Sequence, residues 1–199
     1  EILSSQGTKV VVVGDISEAE MLPKLAFLDK LPNRKVELPQ VDYKPRTTDK
    51  TTVYLIDIPN AAQTEFRVGY ATGMKYDATG IYYKSRLMNH ILGGDFNSRL
   101  NIELRENKGW TYGARSTFNG DAYTGDFVFS SGIRANVTDS ALTDVISVIR
   151  EYSNKGIRND ELTFLKNSLG QRDALLYETG LQKAGFIRRI LDYDLPANY

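Results

Sequence analysis

The sequence predicts an α+β fold, a two-layer sandwich in which a mostly antiparallel sheet carries helices on one face. The order of periodicities leads there: strand, helix, two strands, helix, two strands, and then helices alone. Short turn signals join the strand pairs, Pro59-Asn60 in one and Asn119-Gly120 to Gly125 in the other. The 199 residues are 41% hydrophobic and 25% charged, enough for one sizeable core or two small ones. Neither repeats nor low-complexity tracts interrupt them, and residues 1–199 read as a single domain.

Lys9 to Gly14, KVVVVG, is a continuous β-branched run and predicts a strand buried on both faces. Ser17 and Glu20 have capping-box spacing, and Leu22, Leu25 and Leu28 mark the inner face of a helix ending before Pro32. Pro32, Pro39 and Pro45 make residues 32–50 an extended connection, the one place where a boundary could fall. TTVYLIDI, residues 51–58, reads as a strand and is turned into QTEFRVGYA, residues 63–71. In the latter Phe66, Val68 and Tyr70 share a face opposite Glu65 and Arg67, the pattern of a half-buried strand. Helical spacing follows from 77 to 92, with Ile81, Met88, Ile91 and Leu92 on a common side.

Tyr112, Ala114, Ser116 and Phe118 share one face of the next strand, and Phe127, Phe129 and Ile133 line its partner. Thr138 caps a helix whose Leu142, Val145, Ile146, Ile149 and Tyr152 follow the three-four pattern until Gly156 stops it. A helix starting at Asn159 or Asp160 runs through Leu162, Leu165, Leu169 and Leu176. An amphipathic segment from Leu181 to Leu191 comes last.

Composition excludes several functions. Twenty-five basic residues balance 25 acidic ones, so the basic excess of a nucleic-acid binder is missing. No apolar run approaches the roughly 20 residues of a membrane-spanning helix. The opening, a polar turn and a strand, predicts no signal peptide. Without cysteine there is no disulfide or thiolate chemistry, and the single His90 cannot build a multi-histidine metal site. VVVVGDIS lacks the repeated glycines of a dinucleotide-binding turn.

One stretch concentrates unusual residues: GGDFNSRLNIELRENKGWTYGARSTF, residues 93–118. Gly93-Gly94 reads as a helix C-cap, since Asp95 carries the wrong charge for a phosphate cradle. Arg105 and Tyr112 lie seven residues apart, with Gly109 and Gly113 nearby. A cation and a phenol aimed at a shared carbonyl or oxyanion is one reading. A surface ion pair beside a half-buried tyrosine is the other, and spacing alone favours it, because two residues make no constellation. His90 reads as a surface or packing histidine, and Asp57 as a residue that closes a turn.

The stretch closely resembles the signature of the C-terminal domain of pitrilysin-type zinc peptidases, the insulinase family, in its bacterial half-length branch. There the chain reads Leu-Gly-Gly, Phe-Asn-Ser-Arg-Leu, Leu-Arg-Glu, Lys-Gly-aromatic and Thr-Tyr-Gly. VVVVGDIS resembles the family's opening strand and turn, IPNAAQTEFRVGY its Pro-x-x-x-Gln-Thr strand pair, and GIRNDELTFLKNSL its Gly-x-x-x-x-Glu-Leu helix. The likeness covers nearly the whole chain. Trp110 and Asp95 depart from the usual residues without touching the Arg-Tyr pair.

The resemblance implies a peptidase of two halves, each of two related domains, closing around a peptide or unfolded polypeptide. It places zinc on an inverted His-x-x-Glu-His motif in another domain, and this sequence contains no such motif. It implies that Tyr112 hydrogen-bonds the scissile carbonyl oxygen and that Arg105 holds substrate backbone, while Gly93, Gly94, Arg99 and Gly109 are structural. On that expectation the chain is a fragment without its zinc domain, binds no catalytic zinc and is inactive alone. The alternative is a non-catalytic core or partner subunit that binds peptides or scaffolds a complex. Homodimer, heterodimer and fused double-length chain stay open, as do cleavage preference and a periplasmic or cytoplasmic home in a bacterium.

Overall fold

The structure is a computed structural model that describes residues 3–37, 43–44 and 49–199. The chain divides into two compact units, Glu1–Val41 with Ser168–Tyr199, and Asp42–Asn167. The second unit holds the sheet. Its strands are β1 (Gln63–Ala71), β2 (Ala114–Gly120) and β3 (Gly125–Arg134), in the spatial order β1-β3-β2 with both pairings antiparallel. The fold is the α+β arrangement that the order of periodicities predicts.

Alternation decides which face is covered. In β2, Ala114, Ser116 and Phe118 are buried while Arg115, Thr117 and Asn119 face out. Their partners across the ladder are Ser131, Phe129 and Phe127 of β3, so one sheet face is continuously apolar but for two serines. Phe66 and Val68 of β1 extend it half-buried, whereas Tyr70 on the same face is 61% exposed. The β2–β3 turn is closed by Asp121, whose Oδ1 accepts from the Tyr123 and Thr124 amides at 2.7 and 2.8 Å.

In this unit the helices lie against that face. First in chain order in the first unit is α1 (Glu18–Met21), then in the second come α2 (Ile81–Asn89), α3 (Arg99–Asn101) and α4 (Thr138–Lys155), with α5 (Asn159–Leu175) starting there too. Leu100, Leu104, Phe129, Ile133 and Val145 are the largest apolar side chains fully enclosed between the layers. Two of the helices widen into π-helical turns, α2 through His90–Gly94 and α3 through Ile102–Asn107. A π-helical turn breaks the three-four pattern, so His90, Ile91, Leu92 and Gly93 are buried in succession, while Ile81 at the start of α2 is 71% exposed.

Gly93 and Gly94 correct the C-cap expectation. Neither has a positive φ. Gly93 is small because β2 comes close: a Cβ on it would sit 2.3 Å from Ser116 Oγ and 2.8 Å from the Ser116 amide nitrogen, while one on Gly94 would sit 3.0 Å from the Asn89 carbonyl oxygen. Beneath them the buried Asn89 donates to the Ser116 carbonyl (2.7 Å) and accepts from the Ser116 hydroxyl (2.6 Å).

Arg99 joins α3 to α5. Its Nε and Nη2 donate to the two Glu161 carboxylate oxygens at 2.6 and 2.7 Å, and Nη2 also donates to the Gly156 carbonyl at 3.0 Å. Gly156 is the residue that ends α4, with φ +72° and its amide on the Tyr152 carbonyl. The Arg99 guanidinium lies 4.7 Å from the centre of the Tyr152 ring. Burial pushes the Tyr152 phenol up to about 12, and its hydroxyl donates to the Met88 carbonyl (2.8 Å). Burial also raises the Glu161 carboxyl, but the Arg99 hydrogen bonds, the Arg158 amide and the adjacent cations outweigh it and leave Glu161 below its ordinary value.

The first unit contains α1, a 3-10 helix (Leu22–Lys30), the C-terminal part of α5, and α6 (Gly180–Asp192). Ser17 and Glu20 form the expected capping box. The helix narrows at Pro23, which has no amide for the carbonyl four residues back; Leu25 and Leu28 are half-buried but Leu22 is 58% exposed. Thr179 and Gln182 make a second capping box ahead of α6.

Several other expectations change. Lys9 to Gly14 is extended but joins no ladder among the described residues, and only Val11 and Val13 are half-buried. Residues 51–58 are likewise unpaired and exposed, Val53, Leu55 and Ile56 at 78, 87 and 84%. β-branched composition sets a preference, whereas a strand is made by hydrogen-bonded neighbours. The turn after Asp57 is closed by the Ala61 amide on the Ile58 carbonyl rather than by Asp57. Thr138 does not cap α4; it is the first helical residue and donates to the Ala135 carbonyl. The central part of the 32–50 connection, with Pro39 and Pro45, lies outside the described residues.

Substitutions at three positions have expected outcomes. Gly93→Ala lowers stability by about 2 kcal/mol in urea unfolding because backbone as well as side chain obstructs the methyl. Gly170→Ala in α5, where nothing lies within 4 Å, leaves stability unchanged or higher. Glu161→Gln costs about 3 kcal/mol, since it leaves Arg99 poorly paired in a site where both side chains are at most 13% exposed. Because the folded Glu161 pKa lies below its ordinary 4.5, its contribution is complete above that pH and is lost as pH falls through the folded value. Wild type therefore loses stability on acidification below about pH 4.5 more steeply than Glu161→Gln.

Candidate functional site

The residues that precede β2 are fixed one after another. The helix carrying Arg105 ends at Gly109, whose φ of +61° is a conformation that favours glycine. Its amide reaches the Arg105 carbonyl (3.0 Å), and the Trp110 amide reaches the Leu104 carbonyl (2.9 Å). Trp110 then accepts the Arg134 amide from the end of β3 (3.1 Å). Lys108 lies over the Trp110 ring at 5.1 Å and pairs with Asp144 at 3.2 Å.

Thr111 bends the chain. Its hydroxyl accepts from the Gly113 amide (3.0 Å) and donates to the Gly132 carbonyl (2.8 Å), while Ser131 Oγ donates to the Gly113 carbonyl (2.9 Å). Tyr112 therefore does not continue the inward face of β2, as alternation predicts. It sits in the bend, and its side chain is 91% exposed. Among the described residues its hydroxyl has no hydrogen-bond partner.

Arg105 leaves the same helix one turn after Asn101. Its guanidinium carbon stacks 4.2 Å from the centre of the Phe96 ring, and Nη1 donates to Glu106 Oε1 at 2.6 Å. The Arg105 side chain is 32% exposed and the Glu106 side chain 54%, so the pair is a surface one, worth at most about 1 kcal/mol. A guanidinium has five N–H donors, and Glu106 takes one of them. The surface ion pair that the spacing allows forms at Arg105, whereas Tyr112 is exposed and not half-buried. No hydrogen bond joins Arg105 to Tyr112; the backbone sets their relation.

Three residues of this site escape sequence reasoning: Phe96, Asn101 and Thr111. Asn101 had a visible signal, a short polar side chain between Leu100 and Ile102 in a helix, and is only 3% exposed. Thr before an exposed residue and Gly is a turn signal of the same kind.

Zinc does not fit these residues. Among the described residues no three His, Cys, Asp or Glu side chains gather to hold a metal. His90 is a packing residue, 5% exposed, stacked 5.8 Å from Phe164, with Nε2 3.7 Å from Asp95. A cavity of about 390 Å³ is lined by Arg99, Glu161 and Phe164, but not by Arg105 or Tyr112.

Comparison with known proteins supplies the context. The family model described as the peptidase M16 inactive domain matches residues 1–169. Among solved structures, a peptidase M16 inactive domain from Pseudomonas fluorescens is 26% identical with a TM-score of 0.73. That match covers 94% of this chain and 43% of the other. A protease from Helicobacter pylori (17% identity, TM-score 0.74) is matched over 92% of this chain and 44% of its own. The periplasmic protease PqqL from Escherichia coli (19% identity, TM-score 0.62) is matched over 92% of this chain and 20% of its own. The latter two share the fold. This chain thus spans less than half the length of each of these relatives. No curated protein matches significantly.

Proposed function

The chain belongs to the peptidase M16 inactive-domain family, and from that footing we propose that it supplies Arg105 and Tyr112 to a peptidase site whose zinc is held by another domain or subunit. The substrate is a peptide or unfolded polypeptide. One observation carries the reading: Tyr112 projects an unoccupied hydroxyl, 91% exposed, from backbone that is hydrogen-bonded on both sides.

The chemistry follows from the two side chains. Peptide hydrolysis turns a planar carbonyl into a tetrahedral intermediate whose oxygen gains negative charge. A phenol held in place donates a hydrogen bond that strengthens as that charge grows, so it favours the transition state over the bound peptide. Arg105 cannot lose its proton and offers several N–H donors in one plane, which suits carbonyl oxygens of an extended backbone. Stacking on Phe96 holds the plane, and the solvent-exposed Glu106 yields to substrate at small cost.

A second reading makes the chain a non-catalytic partner that binds or shapes peptides, consistent with the lack of a metal-binding group among the described residues. Kinetics of the full peptidase assembly separate the two. Tyr112→Phe is expected to lower kcat about a hundredfold with KM little changed, the pattern of a lost transition-state donor. Unchanged turnover of fluorogenic peptides would remove Tyr112 from the chemistry. Zinc-dependent turnover absent from wild type as well would favour the partner subunit.

A further inference from the structure

Tyr112 and Arg105 share no direct contact, so their joint action depends on what fixes one relative to the other. Two side chains span that gap. Asn101, one turn before Arg105 on the same helix, accepts the Ala114 amide on Oδ1 (2.9 Å) and donates from Nδ2 to the Phe96 carbonyl (2.7 Å). It thereby joins the helix of Arg105, the residue on which Arg105 stacks, and the first residue of β2. Thr111 does the same on the other side of Tyr112, tying Gly113 to the end of β3 through the Gly132 carbonyl.

We propose that Asn101 and Thr111 are positioning residues that hold the Tyr112 hydroxyl and the Arg105 guanidinium in one catalytic geometry; this rests on the function proposed above. Thr111, Gly113 and Ala114 are pinned on both sides of Tyr112, by bonds to the helix and to β3, while the tyrosine side chain itself touches almost nothing. The backbone fixes the point from which the phenol projects, and a bound substrate has only the side-chain torsions left to settle. A hydrogen-bond donor loses its value in the transition state if it is displaced by about an ångström, so loosening the bend acts on kcat before KM.

The test uses the complete zinc-loaded peptidase with a fluorogenic peptide. Thr111→Val removes the hydroxyl at nearly constant volume and is expected to lower kcat about tenfold with KM within twofold, and Thr111→Ser to restore most of it. Thr111→Val combined with Tyr112→Phe is expected to be no slower than Tyr112→Phe alone, because Thr111 acts through that hydroxyl. Should Thr111→Val fail to fold, Asn101→Ala, which removes the acceptor for the Ala114 amide beside Tyr112, enters the same cycle. Full multiplicative losses in the double variant, or an unchanged kcat in Thr111→Val while Tyr112→Phe is impaired, would overturn the positioning role. An unimpaired Tyr112→Phe would instead overturn the function on which it rests.

Discussion

The bonds that Arg99 makes to Glu161 and Gly156 hold the candidate site in place. Three N–H···O contacts of 2.6 to 3.0 Å converge from one guanidinium on a carboxylate and on the carbonyl that ends α4. Only arginine fits, because lysine offers a point charge where two parallel donors and a third acceptor are in use. Arg99 opens the helix that carries Asn101 and Arg105, so the α4–α5 corner becomes the anchor for the site. Glu161 is suited to that corner twice over: it lies in the first turn of α5, where negative charge is favoured, and it accepts the Arg158 amide at 2.8 Å. Breaking such a buried pair costs a sizeable part of a total stability of about 5–15 kcal/mol.

From that anchor the chain builds a contrast between fixed backbone and open side chains. Between Leu104 and Ala114 the polypeptide is held by a left-handed Gly109, by Trp110 against β3, by the Thr111 bend and by Asn101. Arg105 rests on Phe96 and a weak surface partner, and Tyr112 rests on nothing. A group that must meet a developing charge works best when it is preorganised, because no free energy is then needed to orient it during reaction. On the proposed function, the contribution of Arg105 and Tyr112 is of this electrostatic kind.

Much of this was legible in the sequence, for definite reasons. The alternation in QTEFRVGYA marked the half-buried face of β1, though its ladder partner is β3 and not residues 51–58, and that in Ala114, Ser116 and Phe118 marked the buried face of β2. Arg99 and Glu161 each lie in a quoted motif, yet their meeting across 62 residues was not readable from spacing. Alternation failed at Tyr112 because a side-chain hydroxyl, not a strand ladder, shapes the backbone there. It failed at Gly93-Gly94 because close packing and a left-handed cap both call for glycine, and only coordinates tell them apart. The π-helical turns at His90–Gly94 and Ile102–Asn107 left no periodic signal, since each is about one turn long. The β-branched runs at 9–14 and 51–58 have the composition of strands without ladder partners among the described residues.

The central claim is that Tyr112 meets the scissile bond of a peptide, and proximity tests it most directly. A photo-cross-linking p-benzoylphenylalanine placed at position 112 in the assembled peptidase, with its zinc site inactivated, would be irradiated with a bound peptide substrate. Mass spectrometry would then map the cross-link. The account predicts attachment at the residues flanking the bond that the active enzyme cleaves. Attachment confined to distant residues, or none to the peptide at all, would contradict it.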